Sequence, residues 1–307
     1  MTHPAPFGTA QPRFCTEHSL AAGEPLAGWG AHPARNILIR WPKGKWRHSL
    51  RIAADMGDAV EVAIARAVDA GWRINLIDRK GEPDERLRVF VFPDGLAFDL
   101  DPASLPAFLD AVPLGQDALQ PFAPVPVRSA LILCCTHGQH DACCAKWGFA
   151  TYKALAAAAA GRDDFDIWEA THLGGCRFAG GVLVLPALRK YGRVRAEHGA
   201  ALLDAEAQGR AYLPCYRGAS DLHPAAQAAE VAGLQHLAAL GHYGVPKVRQ
   251  IAEHAYDVTL PGGAACVHVT PDEVRSYGAC ADLKAAAPLT PKTVWRGDVH
   301  SAATKVS

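Results

Sequence analysis

Five of the nine cysteines fall between Cys134 and Cys176, and this crowding restricts what the chain can become more than any other feature. The five are Cys134, Cys135, Cys143, Cys144 and Cys176, while Cys15, Cys215, Cys266 and Cys280 are scattered. The first residues hold no apolar core of a secretory signal, and no apolar run reaches the ~20 residues that cross a bilayer. The expected setting is the cytosol, where cysteines serve metal or thiol chemistry rather than a disulfide framework. Lys plus Arg and Asp plus Glu each number 31. That balance, without any basic run, argues against nucleic acid or a membrane surface as partner.

The cysteines lie in an α/β pattern that occurs twice. Residues 1–35, rich in Gly, Pro and Ala, read as an irregular lead-in. In residues 36–125, Ile37 to Ile39 form a buried strand, Asp58 to Ala70 an amphipathic helix, and Trp72 to Asp78 a second strand. Leu87 to Phe92 and Leu96 to Leu100 then make a hairpin over Pro93-Asp94-Gly95, followed by a short helix to Val112 and a Pro-rich linker. Residues 126–220 repeat the order. Ser129 to Cys135 is a strand, Asp141 to Ala160 a helix capped by Asp141, and Phe165 to Thr171 a strand. A hairpin around Pro186 and a helix from Arg195 to Gln208 follow. The expected fold class is α/β: two thioredoxin-like units side by side, only the second with cysteines. Residues 221–307 form a C-terminal α+β extension, with a helix from Pro224, a hairpin of Val248–Leu260 against Ala264–Val269, and a weakly structured tail from Pro271.

The repeated order places four soft donors together. Cys135 ends a strand, and Cys144, separated from it by eight residues, lies in the first turn of the next helix, where free N–H groups favour a thiolate. His172 and Cys176 flank Leu-Gly-Gly just beyond the next strand. Ends of parallel strands share one sheet edge, so both loops converge there. Four Cys/His donors suit zinc or an iron–sulfur cluster. The wide Cys135–Cys144 spacing, and a glycine loop able to aim backbone N–H groups at sulfur, favour the cluster.

The segments CTHGQHDACCAKWG, WEATHLGGCRFAGGVLVLP and YGRV, with NILIRWPKGKW before them and YRGASDLHPAAQAAE after, resemble the sucrase/ferredoxin-like family of thioredoxin-like ferredoxins. The resemblance implies a [2Fe–2S] cluster ligated by Cys135, Cys144, His172 and the residue at position 176. Many family members have histidine there and this chain has Cys176, so the implied set is three cysteines and one histidine. It implies one-electron transfer by a soluble carrier, fed by a separate reductase, rather than an enzyme with its own substrate. No carboxylate pair stands across a prospective glycosidic bond, so the first half of the family name gains no support. Two other functions fit the same residues: a structural zinc module, and a thiol–disulfide protein using Cys135 and Cys144.

The remaining candidates have plainer readings. Cys134 is expected to face the opposite side of its strand, and Cys143, about 100° round the helix from Cys144, to pack in the core or support the ligands. His137 and His140 read as solvated loop residues. Arg177 reads as a supporting or surface charge, Lys146 as a solvated residue or a counter-charge, and Trp168 as core. Cys215, Cys266 and Cys280 read as free thiols. No Gly-rich dinucleotide loop or P-loop is present.

Overall fold

The computed structural model describes residues 12–83 and 85–300. A short helix α1 (Cys15–Ala21) precedes the first strand β1 (Asn36–Arg40), then α2 (Asp58–Asp69), β2 (Arg73–Asp78), β3 (Leu87–Phe92) and β4 (Leu96–Leu100). After α3 (Leu105–Ala111), α4 (Gln116–Leu119) and β5 (Val125–Pro126), the order resumes with β6 (Ala130–Cys135), α5 (Phe149–Ala158), β7 (Phe165–Ala170), β8 (Val182–Leu185) and β9 (Arg189–Tyr191). Next come α6 (Gly199–Ala207), β10 (Tyr216–Ala219), α7 (Pro224–Ala239), β11 (Lys247–Ala252), β12 (Ala255–Leu260) and β13 (Gly263–Arg275). The last elements are α8 (Cys280–Lys284) and β14 (Pro291–Val299).

A ten-stranded sheet runs in the order β10-β9-β8-β6-β7-β2-β1-β3-β4-β5. Each half joins two parallel strands through a helix, β1 with β2 and β6 with β7, and adds an antiparallel hairpin to the first strand. Parallel partners require such a long crossover, whereas the hairpins do not. The two blocks β4-β3-β1-β2 and β9-β8-β6-β7 thus share one strand order, and β2 meets β7 antiparallel through Ile77–Ala170 and Asp78–Glu169. The junction is sealed by side chains. Thr171 Oγ1 accepts the Leu76 N–H and donates to the Leu50 carbonyl.

Strand alternation sorts the side chains. Ile37 and Ile39 pack with α2 and α3, while Leu38 faces the other side of the sheet. On β6, Ile132 and Cys134 join the core under α5 and α6, and Leu131, Leu133 and Cys135 point to the opposite face. That opposite face carries Cys15, Cys143, Cys144, Cys176 and Cys280 as well as Cys135.

Both ends of the chain are more ordered than the sequence suggests. Residues 1–11 of the expected lead-in and 301–307 of the tail lie outside the described residues. Beyond residue 11 the lead-in contains α1, whose Cys15, Thr16 and Ser19 are buried. The segment from Pro271 is not weakly structured. Strand β13 continues to Arg275 and pairs with β14 along nine residue pairs. Val248–Leu260 is two strands, β11 and β12, turned at Glu253-His254, so the C-terminal hairpin is a four-stranded sheet. The expected linker of residues 113–126 contains α4, with Leu119 fully buried. In these segments tertiary burial overrides weak local propensity. No helix among the described residues is long and apolar enough to cross a membrane.

Candidate metal centre

Cys135 lies opposite Ala170 at the last pair of the parallel β6–β7 ladder, so the loops following both strands open at the same edge. The first loop turns into a helix at Asp141, whose Oδ1 accepts the Cys143 N–H at 2.8 Å, the bond of a helix N-cap. The helix begins with a π-turn from Cys144 to Gly148 before becoming regular. Gly148 is required there, because a Cβ would sit 1.8 Å from the Cys135 carbonyl oxygen. The helix can therefore press its first turn against the strand end and bring Cys144 to Cys135.

The second loop is bent by Gly174 and Gly175, with φ of +93° and +82°, the left-handed region that glycine enters without steric penalty. A side chain at Gly175 would also strike the Arg217 guanidinium at 3.0 Å. The bend returns Cys176 to His172, with Sγ 3.3 Å from Nδ1. Donor atoms of Cys135, Cys144 and His172 lie within 4.8 Å of one another, as do those of His140, His172 and Cys176. Since His172 belongs to both groups, all four sequence-predicted donors are adjacent, with His140 as a fifth. These buried Cys/His groups can hold a metal ion.

The electrostatics suit thiolate donors. Hydrogen bonds from Cys144 and His172 hold the Cys135 thiol well below its ordinary range despite burial. A hydrogen bond from Cys144, helped by His140 and His172, lowers Cys176 to about 3. Cys144, the shared donor, is correspondingly raised. Burial opposes charge on His172, but hydrogen bonds to Cys135 and Cys176 outweigh it and raise the imidazole to about 9.

Two buried cations, Lys190 and Arg217, and the part-buried Arg73 surround the glycine loop. Arg73 donates to the His172 carbonyl at 2.6 Å, Arg217 donates to the Gly174 carbonyl at 3.3 Å, and Lys190 donates to the Ala31 carbonyl at 3.3 Å. None of the three has a carboxylate in salt-bridge contact among the described residues. Burial, with repulsion from Arg217 and Arg73, lowers Lys190 well below its ordinary value, and burial, with repulsion from Arg177 and Arg193, lowers Arg217 to about 9. Arg73 falls to about 10, and Cys135 is the neighbour that opposes this fall. The sequence gives no sign of this ring, since Arg73 and Lys190 look like the solvated positions of alternating strands.

Other candidates resolve individually. Cys134 is fully buried on the far face of β6, as expected. His137 and His140 are not solvated loop residues. His137 is buried, bonds the Arg47 carbonyl through Nε2 at 2.6 Å and accepts the His172 N–H through Nδ1 at 3.3 Å, so it positions the His172 backbone. His140 is half-buried, packs on the His172 ring with centroids 4.1 Å apart, and is raised by its hydrogen bond to Cys176. Arg177 pairs with buried Glu24 at 2.7 Å, Lys146 lies over the Phe14 ring, and Trp168 is core. Cys280 is not an isolated thiol in a tail but is buried beside Cys15 and Cys143.

Residues 26–218 match the model of the sucrase/ferredoxin-like family. No curated protein and no solved structure matches the chain.

Proposed function

The chain belongs to the sucrase/ferredoxin-like family, and on that basis we propose that Cys135, Cys144, His172 and Cys176 ligate a [2Fe–2S] cluster used for one-electron transfer. The observation that carries this reading is the ring of Arg73, Lys190 and Arg217. Buried cations without carboxylates call for a buried anionic object, and thiolates around iron and sulfide supply one. The donor set fits the group in kind, with two donors available per iron and the Gly174-Gly175 backbone beside them. When bound, the cluster supplies a site that changes by one electron.

The chain's own residues then set its behaviour. His137, Asn75 and Arg73 fix the loop that carries His172, and the cations favour the reduced, more negative state. Each half is read as a thioredoxin-like unit, since a parallel β-α-β pair extended by an antiparallel hairpin is that architecture. Electrons come from a separate reductase docking where the His140 and His48 rings meet edge to face, with centroids 4.9 Å apart, because this is the half-exposed side of the donor set. The protein is an electron carrier under this reading.

A single zinc ion is the second reading. The closeness of Cys135, Cys144 and His172, all within 4.8 Å, suits one tetrahedral ion. Anaerobic purification separates the readings. A red-brown protein with equal iron and sulfide, giving a signal by electron paramagnetic resonance on reduction, is expected. A colourless protein holding zinc in a Cys135-dependent site would establish the second reading. A colourless protein with neither metal and a Cys135–Cys144 disulfide would establish thiol chemistry instead.

A further inference from the structure

Outside the four-donor set, three cysteines that are remote in sequence meet. Cys15 and Cys143 Sγ atoms are 3.3 Å apart, Cys143 and Cys280 are 3.2 Å apart, and Cys280 and Cys15 are 3.7 Å apart. Asp141 brings a carboxylate oxygen to within 4.8 Å of all three. All four residues are nearly inaccessible, at 0–4 % exposure. We propose that Cys15, Cys143, Cys280 and Asp141 form a second metal site that binds one zinc ion and ties the two ends of the chain to the core.

The distances select a single ion. Tetrahedral zinc with Zn–S bonds of ~2.3 Å requires sulfurs about 3.8 Å apart, close to the observed triangle. A multi-iron cluster would hold at least one sulfur pair much further apart, because ligands on different irons are separated by the cluster itself. The surrounding backbone has the form of a ligand support. Asp141 accepts the Cys143 N–H on one oxygen and the Cys280 N–H on the other, each at 2.8 Å. Each carboxylate oxygen retains a lone pair for the metal. Binding forms three Zn–S bonds and one Zn–O bond, and the three thiol protons leave to solvent.

The site also accounts for an otherwise unfavourable arrangement. Three thiols and a carboxylate are packed without a cation in salt-bridge contact with Asp141 among the described residues. A divalent ion would give the Asp141 carboxylate the positive partner that the described residues do not supply. The ion would join α1, the turn at Asp141–Cys143 ahead of the π-turn, and α8, which are far apart in sequence.

Metal analysis of the full chain, purified after growth with added zinc and no chelator, tests the proposal. One zinc per chain is expected in the wild type and in Cys135→Ser, which removes a donor of the other centre. Cys280→Ala and Cys15→Ala should each lose at least ten-fold in zinc, while Cys280→His, which keeps a zinc donor, should retain most of it. X-ray absorption at the zinc edge of Cys135→Ser should give three sulfurs and one oxygen. Should Cys280→Ala fail to fold, that wild-type and Cys135→Ser measurement still decides. Full zinc in a folded Cys280→Ala, no zinc in Cys135→Ser, or a disulfide among the three cysteines by mass spectrometry would overturn the second site. These counts hold with the proposed iron–sulfur cluster in the first centre; zinc there would add to every count, and the loss of one zinc between Cys135→Ser and the double variant Cys135→Ser/Cys280→Ala would then read the second site.

Discussion

Asn75 donates through Nδ2 to the carbonyl oxygen of His172 at 3.1 Å, so the half without cysteines holds the backbone of a proposed ligand. The same amide reaches Thr171 Oγ1 at 3.1 Å, and Arg73 supports its oxygen at 2.9 Å. Removing it takes the side-chain donor from the Thr171 carbonyl and the acceptor from Arg73 Nε. Asn75→Leu is expected to lower stability by about 1–3 kcal/mol, measured by urea unfolding. It should also speed loss of the visible spectrum under a chelator. Unchanged loss kinetics would show that Arg73 and His137 suffice to hold the loop.

Single substitutions should map the centre. Cys135→Ser, Cys144→Ser and Cys176→Ser are each expected to lose most of the visible absorption. Cys215→Ser should keep it, since Cys215 Sγ is buried against His198 Nδ1 at 3.2 Å and not against the donor set. Iron content after anaerobic purification is the check, and full iron in Cys176→Ser would remove Cys176 from the ligands.

The buried cations should tune the potential. Reduction adds negative charge, which Lys190 and Arg217 stabilise. Lys190→Met and Arg217→Met are therefore expected to lower the potential by tens of millivolts, the order given by a unit charge at an effective dielectric of ~20. Redox titration reads this directly. A potential unchanged in both variants would mean the ring serves folding alone.

His172 should make the potential depend on pH. Its second nitrogen can carry a proton, and an added electron strengthens that proton's binding, so the potential falls as pH rises between the oxidised-state and reduced-state pKa values. The limiting slope is about 59 mV per pH unit for one electron and one proton. His172→Cys should flatten the profile and lower the potential, because an all-thiolate site is more negative. Superimposable titrations of the two proteins would exclude His172 as a ligand.

His32 gives an acid-sensitive stability. Burial, then Arg73 and Lys190, push its imidazole down to about 3, and it stays neutral, bonded to Asn36 Oδ1 at 2.9 Å. The unfolded chain binds this proton from about pH 6.5 downward and the folded chain does not, so stability is full above 6.5 and falls with pH toward 3. The slope approaches about 1.4 kcal/mol per pH unit. Urea unfolding at pH 7 and pH 5 should show the loss in wild type and a smaller loss in His32→Gln.

The regular parts of the fold were legible because period and punctuation agree. Ile37–Ile39, the Asp58 helix and the strand ending at Cys135 all lie within a residue or two of their expected places. That Cys135, Cys144, His172 and Cys176 come together was legible because they lie at the ends of two parallel strands or in the helix turn that follows one, so local order already implied proximity. The cation ring was not, since Arg73, Lys190 and Arg217 become neighbours only once β2, β9 and β10 join one sheet. Cys15 and Cys280 were read as scattered for the same reason. Their meeting depends on packing between the chain's two ends, which no spacing rule encodes. His137 and His140 were misjudged because a loop residue's burial depends on what covers it, here the segment around Arg47 and His48.

The antiparallel meeting of β2 and β7 has a consequence for timing. The last residues of β2 pair with the last residues of β7, and the chain beyond β7 runs back along β2, so the His172 loop is anchored only after both halves have docked across Ile77–Ala170. A nascent chain emerging with its first half complete has nowhere to receive a prosthetic group, and one with its second half alone has an unsupported receptor. Under the proposed reading, a cluster would be held firmly only once residue 176 has been made and the two halves have docked. A delivery apparatus that recognises the docked junction would find only finished recipients.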